Sequence, residues 1–207
     1  MTEQEVIKLL KRLDIHCSDS DYKVRSLVMD NDLDEELVVS DGVSKICLVF
    51  KNENFVVKWS RYSGEAEKEI QLYQLAKEAN IEMFFPATRQ LVTLNNIVFV
   101  IQEKVDVYCC DTTPRLERLY ATKAKTVSDR IISKMSNAMM KAHNHYSRKP
   151  NELWVRLSIS IYGKRRCKKF CEFLKAHKIN DLHSGNLGYK NNKPVVLDFC
   201  GFENNSY

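Results

Sequence analysis

Apolar and polar positions change rhythm twice along the 207 residues. From Glu3 to Leu13 the aliphatics Val6, Ile7, Leu9, Leu10 and Leu13 recur at helical spacing, which predicts an amphipathic helix with one buried face. Polar residues from Cys17 to Asp21 break it, and an acidic stretch, Asp30 to Glu36, leads onward. From Leu37 to Trp59 the pattern shortens to β-rich runs, Leu37–Val39, Lys45–Phe50 and Phe55–Trp59. Asp41-Gly42 and Lys51-Asn52-Glu53-Asn54 fall between them as turns. Gly64 precedes a helix from Glu65 to Asn80, with Ile70, Leu72, Tyr73, Leu75 and Ala76 on its buried side. Two more strands, Leu91–Val92 and Ile97–Ile101, turn at Asn95-Asn96. The order describes a five-stranded antiparallel sheet with one packed helix.

The rhythm after about residue 107 is mostly helical. One helix is expected around Pro114 (Thr112 to Ala124), a long one from Thr126 to Tyr146, and another from about Gly163 to His177. Pro150 and Asn151 separate the last two, and Leu153–Tyr162 reads equally as helix or strand. The tail returns to β, with Leu187–Lys190, a turn at Asn191-Asn192, and Pro194–Leu197. Together these elements predict an α+β fold of two lobes. Residues 1–103 would form a sheet-bearing N-lobe, and 104–207 a short, mainly helical C-lobe.

Composition changes this picture little. Hydrophobic residues make up 44% and charged residues 29%, which excludes wholesale disorder. The net charge of +5 is a mild excess. Its one dense run, Lys164-Arg165-Arg166 with Lys168-Lys169, is too short for a nucleic-acid site and reads as a solvated helix face. Seven cysteines, an odd number, follow no signal peptide, so reduced thiols and a cytoplasmic location are expected. Neither Cys109-Cys110 nor Cys167 with Cys171 has a second pair at metal-ligand spacing. No apolar run reaches the roughly 18–20 residues that span a bilayer, so no membrane partner is expected. His143-Asn144-His145 reads as polar residues at a helix end, and Met135, Met139 and Met140 as core filling.

The chemistry concentrates near the C-terminus, in Asn180-Asp181-Leu182-His183-Ser184-Gly185-Asn186-Leu187-Gly188 followed by Val195-Val196-Leu197-Asp198-Phe199. Folding the intervening hairpin brings Asp198 back beside Asn186. An amide oxygen and a carboxylate facing one point suit a hard cation such as Mg2+, which takes oxygen ligands and keeps several waters. Asp181, five residues before Asn186, can point at an acceptor hydroxyl instead.

Asp181-x4-Asn186 and Asp198-Phe199 resemble the catalytic loop and metal-binding aspartate of the protein-kinase superfamily. The variant Asp-Leu-His-x-Gly-Asn is similar to aminoglycoside and choline phosphotransferases and to compact kinase-like proteins of phages and bacteria. The resemblance covers roughly residues 37–207 and implies ATP and Mg2+ as cofactors. It also implies a lysine on the third strand, holding the α- and β-phosphates, and a helix glutamate holding that lysine. Phe55-Val56-Val57-Lys58-Trp59 places Lys58 in an apolar strand, where a charge is costly without a partner. Glu69 on the following helix is the expected partner, with Glu65 on the same face as the fallback. Glu103 and Val105 would bind the adenine edge through their backbone, and Ser44 would cap a phosphate. His183 would belong to the loop scaffold.

Four departures stand out. A single glycine, Gly42, occupies the phosphate loop, and Ile179 stands where histidine is common. Gly201 follows Asp198 by three residues, and the chain stops six residues later. The expected activity is transfer of the γ-phosphoryl group of ATP to a hydroxyl. A protein Ser/Thr, the chain's own included, is favoured over a small molecule because a short C-lobe leaves an open cleft. The competing expectation is a nucleotide-binding pseudokinase that acts by occupying a partner protein.

Overall fold

The computed structural model describes residues 1–41, 45–107, 127–141, 152–179, 182 and 184–199. The protein is α+β, and its chain divides into two compact units, residues 1–71 with 87–104, and residues 72–86 with 105–207.

The first unit is built on a five-stranded antiparallel sheet in the order β1-β2-β3-β5-β4. Its strands are β1 (Leu37–Asp41), β2 (Lys45–Phe50), β3 (Phe55–Ser60), β4 (Thr88–Leu94) and β5 (Ile97–Glu103). Asn95 and Asn96, both at positive φ (49° and 61°), make the β4–β5 turn; asparagine tolerates this left-handed conformation well. Alternation sorts the sheet into two faces. Ile46, Leu48, Phe50, Val57, Trp59, Ile97 and Phe99 lie in one core with residues of α1 (Glu3–Leu13) and α2 (Asp21–Asp30). From α1 the core receives Val6, Leu9, Leu10 and Leu13, four of the five expected residues. Thr2 and Glu5 close a reciprocal cap at its start. After the expected polar break comes α2, a helix that was not expected. Ser20 caps it by accepting from the Lys23 amide, and Val24 and Val28, one turn apart, are its buried residues.

β1 runs through Asp41, one residue into the expected turn, and β4 is longer than Leu91–Val92 because its polar ends pair with β5. The helix α3 (Glu65–Glu78) belongs to both units, with Leu72 and Ala76 in the second core.

That second core gathers Ile81, Phe84 and Phe85 with α4 (Asp129–Lys141) and α5 (Glu152–Ala176). Leu153–Tyr162 is helical, and Gly163, about where a helix was expected to begin, is the kink at φ 80° and ψ 156° between the two halves of α5. Phe84 stacks on Phe170 at 4.3 Å between ring centroids, and Met135 and Met139 fill the same core. A second antiparallel sheet runs β6-β7-β8, formed by Asp106–Val107, Leu187–Lys190 and Lys193–Val196. β6 was not expected from its two-residue length. Asn191 and Asn192 repeat the turn geometry of Asn95 and Asn96. The expected helix Thr112–Ala124, the segment 142–151, Cys109-Cys110 and the His143–His145 group lie outside the described residues, as does the side chain of Met140. Among the described residues no helix is long and apolar enough to cross a membrane.

Candidate active site

Buried polarity is concentrated in one place. Among the described residues five polar or charged side chains are buried, and four of them, Lys58, Glu69, Thr88 and Gln102, form one network in the first unit. Lys58 stands on β3 opposite Cys47 of β2, on the sheet face turned away from the α1–α2 core. Glu69 reaches that face from α3. The Lys58 ammonium donates to Glu69 Oε1 and, at 3.0 Å, to Gln102 Oε1. The Gln102 amide nitrogen donates to the same Glu69 oxygen at 3.1 Å and to Thr88 Oγ1 at 2.9 Å. Lys58 is 6% exposed and Glu69 1%. A pair so far from water survives only when paired and hydrogen-bonded, and here each partner has both.

Lys45 adds a second cation. It donates to the other carboxylate oxygen, Glu69 Oε2, at 3.1 Å. On the same sheet face Cys47, Val49 and Val56 are half-buried, and burial pushes the Cys47 thiol up to about 11. The Lys58 ammonium opposes that rise and the Glu69 carboxylate adds to it. Glu65, the fallback partner, accepts instead from the Ser60 hydroxyl at 2.6 Å.

Sequence reasoning missed Lys45, Gln102 and Thr88. For Lys45 strand alternation says only that it shares a face with Cys47; its place on the Lys58 face comes from the β2–β3 register. Gln102 carried the weak signal of an amide ending an apolar strand.

In the second unit, apolar residues hold the polar ones at the surface of the core. Ile179, Leu182, Leu187 and Phe199 are buried, while Asn186 and Asp198 between them are half-buried. Ser184–Asn186 forms one 3-10 turn before β7. Leu187 pairs with Val196, and the Leu197 amide donates to the Asn186 carbonyl at 2.9 Å. The hairpin therefore returns the residue before Asp198 to Asn186. Asparagine amide and aspartate carboxylate oxygens are hard donors of the type magnesium takes alongside water. Among the described residues, no group of three or more His, Cys, Asp or Glu could hold a metal through protein ligands alone.

Gly188 is constrained by its neighbours. A Cβ there would stand 2.7 Å from the Asp106 carbonyl oxygen, and Trp154 Nε1 donates to the Gly188 carbonyl at 3.2 Å. Glu103 ends β5 opposite Phe55, its amide donating to the Ala87 carbonyl at 2.9 Å, and Val105 opens the second unit's C-terminal part. Ser44, Asp181 and His183 lie outside the described residues. The basic run is solvent-exposed at Lys164, Arg165, Arg166, Lys168 and Lys169, beside a concavity of about 430 Å³ at the Gly163 break.

No protein-family model matches the chain, and no curated protein does. Among solved structures it is similar to the ternary complex of streptomycin, ATP and APH(2")-IIa. The alignment covers 84% of this chain and 70% of that one, at 16% identity and a TM-score of 0.35.

Proposed function

We propose that the protein is a kinase-like phosphotransferase that moves the γ-phosphoryl group of ATP to a hydroxyl. The observation that supports this most is the buried Lys58–Glu69 pair with Gln102 across both partners. Lys58, fixed on β3, would hold the α- and β-phosphates, and Glu69 would keep its ammonium aimed. Val49, Val56 and Cys47 offer a half-buried apolar floor of the kind a flat base covers. Asn186 and Asp198 would hold magnesium, which when bound offsets the negative charge of the phosphate oxygens. Asp181 would orient the acceptor hydroxyl and accept its proton, and the backbones of Glu103 and Val105 would meet the base edge. Ser44 would cap a phosphate. The acceptor class we favour is a protein serine or threonine.

Incubation with γ-labelled ATP and magnesium, alone and with lysate, tests the reading. The unchanged protein should transfer label, and Asp181→Ala should lose at least about a hundredfold in rate while keeping nucleotide affinity. A nucleotide-induced thermal shift without any transfer would instead favour a binding protein. The absence of both shift and transfer would overturn the proposal.

A further inference from the structure

Lys45 and Lys58 each take one oxygen of a single carboxylate, Glu69 Oε2 and Oε1. Two ammoniums side by side on one face of a sheet match an anion with more than one charged centre.

Strand register sets the direction. Lys58 lies across from Cys47, and Lys45 across from Ser60, two residues nearer the end of β2 where the chain arrives from β1. Both side chains stand on one face, because residues two apart on a strand do. Lys58 is held from the β5 side by Gln102, whereas the Lys45 side chain is 11% exposed at the outer end of the row.

We propose that Lys45 is a second phosphate-binding lysine, which meets the terminal phosphate of a nucleoside triphosphate while Lys58 meets the inner ones. This rests on the phosphotransferase reading and deepens it. The pair of lysines on Glu69 then distinguishes triphosphate from diphosphate.

The test is calorimetric titration of the full chain with ATP, ADP and AMP in magnesium at two salt concentrations. Lys45→Met, Lys45→Gln, Lys45→Arg and Lys58→Met are compared with the unchanged protein. Lys45→Met should weaken ATP about tenfold, the loss of one charge-assisted contact, and leave ADP within about twofold. Its ATP affinity should also depend less on salt, and Lys45→Arg should keep most of the preference. Lys58→Met should weaken ATP and ADP alike. If Lys45→Met does not fold, judged by its melting curve without nucleotide, Lys45→Gln carries the same expectation. Equal weakening of ATP and ADP in the Lys45 variants would reduce the residue to a structural prop of Glu69, and no change in either would also overturn the proposal. If the unchanged protein binds no nucleotide, the phosphotransferase reading falls, and this inference falls with it.

Discussion

Glu69, held by ammoniums on both of its oxygens, makes the effect of single substitutions unequal. Breaking a buried pair by removing one partner costs about 3–5 kcal/mol, because a charge is left uncompensated. Lys58→Met should cost less, about 2–3 kcal/mol, since Lys45 still faces the carboxylate. Removing the acid as well, in Lys58→Met with Glu69→Leu, should recover part of that loss in urea denaturation. Beside this pair, Cys47 should be a poor nucleophile. With its thiol pushed up to about 11, roughly one in a thousand is ionised at pH 8. Its alkylation should therefore trail that of exposed Cys17 and speed up about tenfold per pH unit until pH nears 11, as site-resolved mass spectrometry would record. The sequence made Lys58 legible because a lysine inside Phe55–Trp59 demands an acid, and Glu69 was in reach on the next helix. Lys45 was not legible, because a lysine opening a strand satisfies the same pattern when it faces water.

Elements were readable where one face differed from the other. The helix α1 announces itself by clean periodicity, and β2 and β3 by short β-rich runs between polar turns. The first half of α5 does not: Trp154, Val155, Leu157, Ser158, Ile159 and Tyr162 are all buried, so the helix is covered nearly all round and its period disappears. The missed α2 is the opposite case, a mostly uncovered helix marked by the Ser20 cap, with only Val24 and Val28 buried. Two glycines should be irreplaceable for different reasons. Gly163→Ala forces a Cβ into a backbone region that glycine alone occupies easily, and should cost about 1–3 kcal/mol in thermal unfolding. Gly188→Ala meets the Asp106 carbonyl instead, and should cost about 1–3 kcal/mol by pushing β6 from β7. Hydrogen exchange should then show faster exchange at Val107 and Gly188, with β1–β5 unchanged.

For the whole molecule, the α+β class and the antiparallel five-stranded sheet were legible, because strand runs and asparagine turns have local signatures. The way the chain is shared between its two cores was not. Residues 72–86 run from the middle of α3 to just before β4, yet Leu72, Ala76, Ile81, Phe84 and Phe85 belong to the core built from α4, α5 and the second sheet. Nothing in a local pattern says which of two cores an apolar stretch will join. Tyr162 marks this sharing: its hydroxyl lies 2.9 Å from the Met83 carbonyl and 2.7 Å from that of Pro194. Tyr162→Phe leaves both oxygens without that donor, and should cost about 1–3 kcal/mol in denaturant melts.

This interleaving has a consequence for the nascent chain. On the ribosome, residues 72–86 emerge long before Trp154, Phe170 and Phe199, the partners that bury them. At about 5–20 residues per second, Phe84 and Phe85 wait roughly 5–25 seconds without their final packing. During that interval the segment is an aromatic stretch whose final partners have not yet been made.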